Sequence, residues 1–313
     1  MDFVISLIIC THNPRTHYIS RVLEALKSQT LSLDKWELLL IDNASHTQLS
    51  SEIDLTWHPN ARHIREEKIG LTNARLRGFK EAVADLFVFA DDDNILDPNY
   101  LKNVAEIFQD YSEIGAIGGK SIPEFEVNPE PWVEQFFKTL ALRDLGDEVL
   151  TSSQAGSKFP KEYPSFAPIG AGLALRRVAA EKYQYSVLGN SAKLGLGRTG
   201  KQLVSGEDND IVLTIMEAGW EVGYFPQLQL THLIPASRIT KKYLAGVNYA
   251  SWRSWIQVLD LHGIQTWKKI PRWTVLPRKV KSFFTYQPWK NTASYIRWKG
   301  ACGMFEGLGE LTN

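Results

Sequence analysis

Leu86-Phe87-Val88-Phe89-Ala90-Asp91-Asp92-Asp93-Asn94 is the stretch on which the fold turns. Five apolar residues without polar alternation suit a strand covered on both faces. Three carboxylates follow at once. Side chains alternate direction along extended chain, so Asp91 and Asp93 are expected to face the same side. Carboxylates this close raise one another's pKa unless a cation lies near. Mg²⁺ or Mn²⁺ takes oxygen ligands, typically one or two carboxylates with phosphate oxygens completing the shell. The plain alternative is a solvated turn into Asn94, or Asp93 capping a short helix. The position at the end of a buried strand weighs against it.

Working outward, the N-terminal half alternates short apolar runs with helical periodicity. Phe3–Cys10 reads as a buried strand, Thr11–Arg15 as a loop and Tyr18–Gln29 as a helix with Ile19, Val22, Leu23 and Leu26 on one face. Trp36–Ile41 is a second strand, ending at Asp42-Asn43, and a third is expected near His63–Arg65. Thr72–Ala84 and Asn99–Asp110 are helical. Such alternation predicts a parallel sheet flanked by helices, with ligands beyond the carboxyl ends of its strands. Residues 123–168 are irregular and read as linker and acceptor-side loops. Phe166–Arg176 resumes an apolar strand containing Gly170 and Gly172. A glycine-rich loop follows, then a helix from about Asp208 to Ala218 with Gly219 as its C-cap, and a strand over Glu221–Phe225.

Three further groups carry possible chemistry. Glu207-Asp208 opens a helix, where a carboxylate is ordinarily a cap; behind a flexible glycine-rich loop it could instead be a general base. His232 sits in an apolar setting and reads either as a hydrogen-bonded core residue or as a metal ligand. Gly70-Leu71-Thr72-Asn73-Ala74-Arg75 opens a helix whose free N–H groups, with Arg75 and Arg77, suit a diphosphate. The bland reading is a solvated arginine face.

Of the 313 residues, 44% are hydrophobic and 22% charged, ordinary values for a globular enzyme. The formal net charge of zero argues against nucleic acid as a partner. The balance is uneven: from Arg238 onward there are 13 Lys and Arg against 3 Asp and Glu, with six of the ten tryptophans. Basic, Trp-bearing helices can lie in a membrane interface and bind anionic lipid, or this tail packs on the body with its charges in water. Cys10 lies in a buried strand, so a bridge to Cys302 is not expected. Few cysteines, no cleavable leader and no apolar run of spanning length lead to the expectation of a cytoplasmic protein; peripheral contact with the inner face of the plasma membrane is the first of the two readings of the tail.

Taken together over roughly residues 4–235, these positions resemble the family-2 glycosyltransferases of the GT-A fold. Ser6-Leu7-Ile8-Ile9-Cys10-Thr11-His12-Asn13-Pro14-Arg15 is similar to that family's first strand and nucleotide loop, with His12 at a position where a tyrosine-rich variant is usual. Leu38–Asn43 resembles the strand that ends in a base-recognising Asp, here Asp42. Gly70–Gly78 resembles the segment under the diphosphate, Asp91-Asp92-Asp93 the metal-binding DxD, and Glu207-Asp208 the acidic pair containing the base. His232 stands where many GT-A members carry a metal-liganding His.

The resemblance implies a catalytic domain over 1–237, with a nucleotide and donor half over 1–120 and an acceptor half over 121–237. A basic, Trp-rich, helical extension covers 238–313. It implies donor binding by Thr11, Asn13, Arg15, Asp42, Asn43, Gly70, Asn73, Arg75, Asp91 and Asp92, and Mg²⁺ or Mn²⁺ held by Asp93, Asp91 and His232. Asp208 is the favoured base, with Glu207 placing the acceptor. The expected reaction is inverting transfer from a nucleoside-diphosphate sugar, UDP-sugar foremost, to a hydroxyl of a glycan or lipid-linked acceptor, in polysaccharide or cell-surface glycan assembly. Three other classes compete. A sugar nucleotidyltransferase would carry a glycine-rich triphosphate loop, and Thr11–Arg15 has no glycine. A dinucleotide oxidoreductase would show G-x-G-x-x-G after the first strand, which is absent. A binding protein that had lost catalysis is disfavoured by the intact acidic clusters.

Overall fold

A computed structural model describes residues 3–152, 163–200 and 202–311. The middle segment read as loops therefore lies partly outside the described residues, at 153–162. A nine-stranded mixed sheet forms the centre. Its parallel part is the N-terminal half: β1 (Ile5–Thr11) lies between β2 (Trp36–Asn43) and β4 (Leu86–Ala90), and β3 (Ala61–Glu66) flanks β2. Beyond β4 come β8 (Ala174–Arg176), β6 (Ile114–Phe125), β9 (Glu221–Ile234) and β5 (Asn94–Leu96), with β7 (Leu150–Thr151) pairing β9 off this path. β6 and β9 run parallel; β8 is antiparallel to both its neighbours, as β5 and β7 are to β9.

The uninterrupted apolar runs are explained by two cores, one on each face. Ile5, Leu7 and Ile9, with Leu38, Leu40, Leu86 and Val88, feed one core, which is closed by α1 (Thr16–Lys27) and α3 (Tyr100–Asp110). Ile8, Leu39, Ile41, Phe87 and Phe89 point into the other, covered by α2 (Leu71–Glu81), α4 (Arg177–Val187) and α6 (Glu207–Glu217). α2 lies so close to β1 that a Cβ at Gly78 would come 2.6 Å from Ile8 Cγ2. A short helix, α5 (Ser191–Leu194), precedes α6.

Two expectations about the second half are corrected, and one strand was not anticipated. The strand expected over Phe166–Arg176 joins the ladder only at Ala174–Arg176, because Gly172 takes a φ of +71° and turns the chain. β9 runs on to Ile234 instead of ending at Phe225, so His232 lies in it. β6 escaped sequence reading because it holds Gly115, Gly118, Gly119 and Pro123. At Gly119 a Cβ would meet Leu228 O at 1.9 Å, so this central strand needs the residues that disguise it.

The tail is helical: α7 (Lys241–Leu261), α8 (Val275–Tyr286) and α9 (Thr292–Glu310). No helix among the described residues is long and apolar enough to cross a membrane. Gly303 of α9 lets that helix close on α7, since a Cβ there would lie 2.0 Å from Tyr249 O. Leu244, Ala245, Ala293 and Ile296 pack with Val133, Phe136 and Leu140 of the body. Cys10 and Cys302 are free thiols. At the end of α7, buried His262 places Nε2 2.7 Å from Asp210 Oδ1 and Nδ1 2.6 Å from Glu217 Oε1, both on α6. Lys193 Nζ reaches the same Asp210 oxygen at 2.7 Å.

Burial disfavours the His262 imidazolium, but the two carboxylates outweigh it and raise the pKa above the ordinary value. A raised folded pKa means that this stabilisation is complete below the unfolded pKa of about 6.5 and is lost as pH rises through the folded value. His262→Gln is therefore expected to cost about 2 kcal/mol at pH 6. Urea denaturation across a pH series should show that gap narrowing toward pH 9; a gap independent of pH would contradict the assignment.

Candidate active site

The carboxyl ends of β1, β2 and β4 lie in register, Thr11 opposite Asp42 and Ile9 opposite Ala90, so the loops after them share one edge. They open into a cleft of about 520 Å³. Asp91, Asp92 and Asp93 line it from β4, Glu207 and Asp208 from α6, and His232 from β9. Thr11, Asn13, Arg15, Asn43, Gly70 and Arg75 line it as well, so most of the residues singled out in the sequence share one concavity. Asp42 and Asn73 do not line it. Asp42 accepts the Ser45 and Leu49 N–H groups and pairs with Arg65 Nη1 at 2.7 Å, so its carboxylate organises the loop after β2. Asn73 donates back to Ile69 O within its own turn.

Backbone pairing brings the parts together. Asn94 pairs with His232 across β5 and β9, and Leu233 N donates to Asp93 O at 2.9 Å; distant sequence is thereby fixed beside the Asp triplet. Asn43 Oδ1 accepts the Gly70 N–H at 2.8 Å while its amide holds Glu66 O and Lys68 O. Gly70 itself has φ +131°, a conformation side chains rarely adopt, so glycine is required to start α2 there. The Leu71 N–H at that helix start donates to Arg198 O, which ties down the glycine-rich loop and leaves one free amide fewer for an anion.

Charge is concentrated at low exposure. Burial and the neighbouring Asp93 push the Asp91 carboxyl upward. The same two effects carry Asp92 to about 7, although Thr11 Oγ1 donates to it. Asp93 behaves oppositely: burial opposes ionisation, but His232 and Arg238 bring it down to about 2. Its Oδ1 stands 3.4 Å from His232 Nε2, and its Oδ2 is 2.9 Å from Arg238 Nη1. Arg238 is a cleft residue that sequence reading missed, having been counted with the basic tail. Its only signal was its spacing, six residues beyond His232.

The α6 pair differs in environment. Glu207 is buried and raised to about 7, chiefly by desolvation, with Arg75 as the opposing charge at 3.3 Å. Neither Glu207 oxygen has a hydrogen-bond partner. Asp208 is half-buried, accepts Gly170 N–H at 3.1 Å and the Asn209 N–H, and faces the cleft.

Among the described residues no three His, Cys, Asp or Glu side chains converge tightly enough to hold a metal unaided. Asp93 and His232 do fit a pair of adjacent ligands. Two donors about 2.1 Å from an octahedral cation stand roughly 3 Å apart, near the 3.4 Å found here. The remaining positions would fall to diphosphate oxygens and water, and Arg238 would have to yield.

A cleft at the carboxyl ends of the strands is where a sheet of this kind places its ligand. The "Glycosyl transferase family 2" profile matches residues 6–183, more than half of the chain. The chain belongs to that family. Over 137 residues it is 21% identical to the glucosyl-dolichyl phosphate glucuronosyltransferase of Haloferax volcanii, covering 42% of this chain and 43% of that protein's length. Crystal structures of S. aureus TarS 1-349 share the fold at a TM-score of 0.54 and 13% identity, covering 98% of this chain and 90% of that one. The same protein in complex with UDP-GlcNAc gives 0.54 at 11% identity, covering 98% and 91%.

Removing one partner of a buried ion pair costs about 3–5 kcal/mol because the other charge is stranded. Arg75→Met is expected to lose that much in urea denaturation. The double variant Arg75→Met/Glu207→Gln should regain most of it; a double variant as unstable as the single one would show that Arg75 acts through packing on Phe89, whose ring centre lies 5.3 Å away.

Proposed function

We propose that this glycosyltransferase moves a sugar from a UDP-sugar to a hydroxyl of a glycan or lipid-linked acceptor, with inversion, in polysaccharide or cell-surface glycan assembly. The observation that carries this reading is the cleft shared by Asp93, His232 and Asp208, reached from three separated stretches of chain. The UDP-GlcNAc complex of the TarS neighbour and the lipid-linked substrate named for the archaeal relative support the donor and acceptor classes.

Asp93 and His232 would hold Mg²⁺ or Mn²⁺, with Asp91 toward the ribose. A bound cation supplies charge neutralisation on the leaving diphosphate. Arg75, Arg198 and Arg238 add positive charge around the same phosphates, and Asn43 holds Gly70 so that the start of α2 sits beneath them. Asp208, fixed by Gly170 N–H, takes the proton of the acceptor hydroxyl as its oxygen bonds to the anomeric carbon. The bond from that carbon to the diphosphate oxygen breaks on the opposite face. One base acting from one side with a leaving group on the other gives inversion, as in inverting glycosidases. Buried Glu207, ion-paired with Arg75 but with neither oxygen hydrogen-bonded, accepts hydrogen bonds from acceptor hydroxyls.

Positioned general-base help is worth about 10²–10⁴-fold. Asp208→Asn is therefore expected to lower kcat at least 100-fold while UDP affinity is kept. A kcat near wild type would remove Asp208 from the role, and absence of turnover by the wild-type protein across a panel of UDP-sugars with Mn²⁺ would count for a binding protein. Asp93→Ala should abolish the metal-dependent part of UDP binding in calorimetry without lowering Tm by more than a few degrees. Unchanged metal dependence would refute the ligand assignment.

A further inference from the structure

Two of the tail's tryptophans are treated differently from the rest. Trp252 packs edge-on against Trp267, Trp255 against Tyr163 and Trp298 against Phe283. Trp273 and Trp289, at the two ends of α8, are 79% and 57% exposed, Trp289 resting its ring against Phe283 and Phe284 with centres 5.1 and 6.2 Å apart. Between them Leu276, Val280 and Phe284 are exposed by 70%, 53% and 64%. These three recur every fourth residue, so at about 100° per residue they occupy an arc of roughly 80° on one side of the helix. Val275 and Ser282, roughly 140–160° around the helix from the middle of that arc, are the buried positions that seat α8 on the tail. Arg278 and Lys281 lie on the third side. α8 thus has one face for the protein, one apolar face in solvent and one basic face.

The charge around it is one-sided. From Leu261 to Phe305 there are nine Lys and Arg and no Asp or Glu. Among the described residues Lys268, Arg272, Arg278, Lys281 and Lys290 form no salt bridge, so their charge is available. An apolar stripe bordered by unpaired cations and ended by tryptophans has the chemistry of a helix lying in the headgroup layer of an anionic membrane. A second copy of the chain would fit poorly. A two-fold contact sets the same patch against itself and would oppose the two basic faces.

We propose that the exposed face of α8, from Trp273 to Trp289, docks the protein on an anionic phospholipid surface, with the helix axis in the membrane plane. Docking uses no residue of the cleft and holds whether or not the proposed donor and acceptor are correct. It confines the enzyme to the layer in which a lipid-linked acceptor lies.

Co-sedimentation of the full chain with vesicles tests this. Binding is expected to vesicles of phosphatidylcholine with 30% phosphatidylglycerol at low salt, at least tenfold weaker to phosphatidylcholine alone, and sharply weakened at 0.5 M NaCl. Leu276→Glu/Phe284→Glu and, separately, Arg278→Glu/Lys281→Glu should each lose at least tenfold in binding. Both change exposed positions, so Tm and UDP affinity should stay at wild-type values, which separates loss of docking from loss of fold. Equal binding to neutral and anionic vesicles, no binding to either, or full binding by both variants would overturn the proposal. Sedimentation equilibrium showing a dimer that Leu276→Glu/Phe284→Glu dissolves would assign the face to self-association and overturn it equally.

Discussion

Five carboxylates are crowded along one edge of the sheet, and the surrounding architecture answers the repulsion among them. Asp91, Asp92 and Asp93 leave β4 together, and Glu207 and Asp208 enter from α6 into the same cleft. Like charges at low exposure disfavour ionisation, as the rise of Asp92 and Glu207 to about 7 reflects. Cations from elsewhere in the chain offset this. Arg75 from α2 stands against Glu207, and Arg238, just beyond β9, stands against Asp93. The β5–β9 pairing that brings His232 to Asp93 also delivers the chain segment that ends in Arg238. A site built from repelling groups needs a rigid frame, and the two-faced core of β1, β2 and β4 supplies it.

That balance divides the labour within each acidic cluster. Asp93 is held ionised by the strongest positive surroundings of the triplet, whereas burial and the neighbouring carboxylates raise Asp91 and Asp92. In the second cluster Glu207 is buried against Arg75 with neither oxygen hydrogen-bonded, while Asp208 is more open and oriented by Gly170.

Where one residue type meets one structural need, the sequence is easy to read. The runs before Thr11, Asp42 and Asp91 are apolar throughout because both faces of those strands are covered, and polar groups appear where the strands end. That pattern disclosed the cleft and most of its residues. β6 was hidden because a central strand under close backbone approach must be glycine-rich, and such a sequence resembles a loop. Asp42 shows another limit: a carboxylate at a strand end can face a ligand or hold its own loop, and only the positions of Ser45, Leu49 and Arg65 decide. Arg238 was misplaced because composition divides the chain where basic residues begin to accumulate, and the boundary fell on a residue that the cleft uses.

The C-terminal extension joins these themes. Its seam with the body is itself a charge cluster, His262 and Lys193 closing on the fully buried Asp210 two residues beyond Asp208 on α6. The helix that carries the proposed base is therefore clamped at its far side by the end of α7. α7 and α9 use their apolar and glycine surfaces to pack on each other and on the body, which consumes most of the tail's tryptophans. α8 packs on α9 through Phe283 against Trp298 and through Lys279 paired with Glu306, and keeps its apolar and basic faces outward. The basic surplus noticed in the sequence thus separates into Arg238 at the cleft, the paired Arg253, Lys269 and Lys279, and cations without a salt bridge, which include Lys268, Arg272, Arg278, Lys281 and Lys290 around α8. That group around α8 borders the exposed apolar stripe and the exposed Trp273 and Trp289, and such a surface calls for a partner that is at once apolar and anionic.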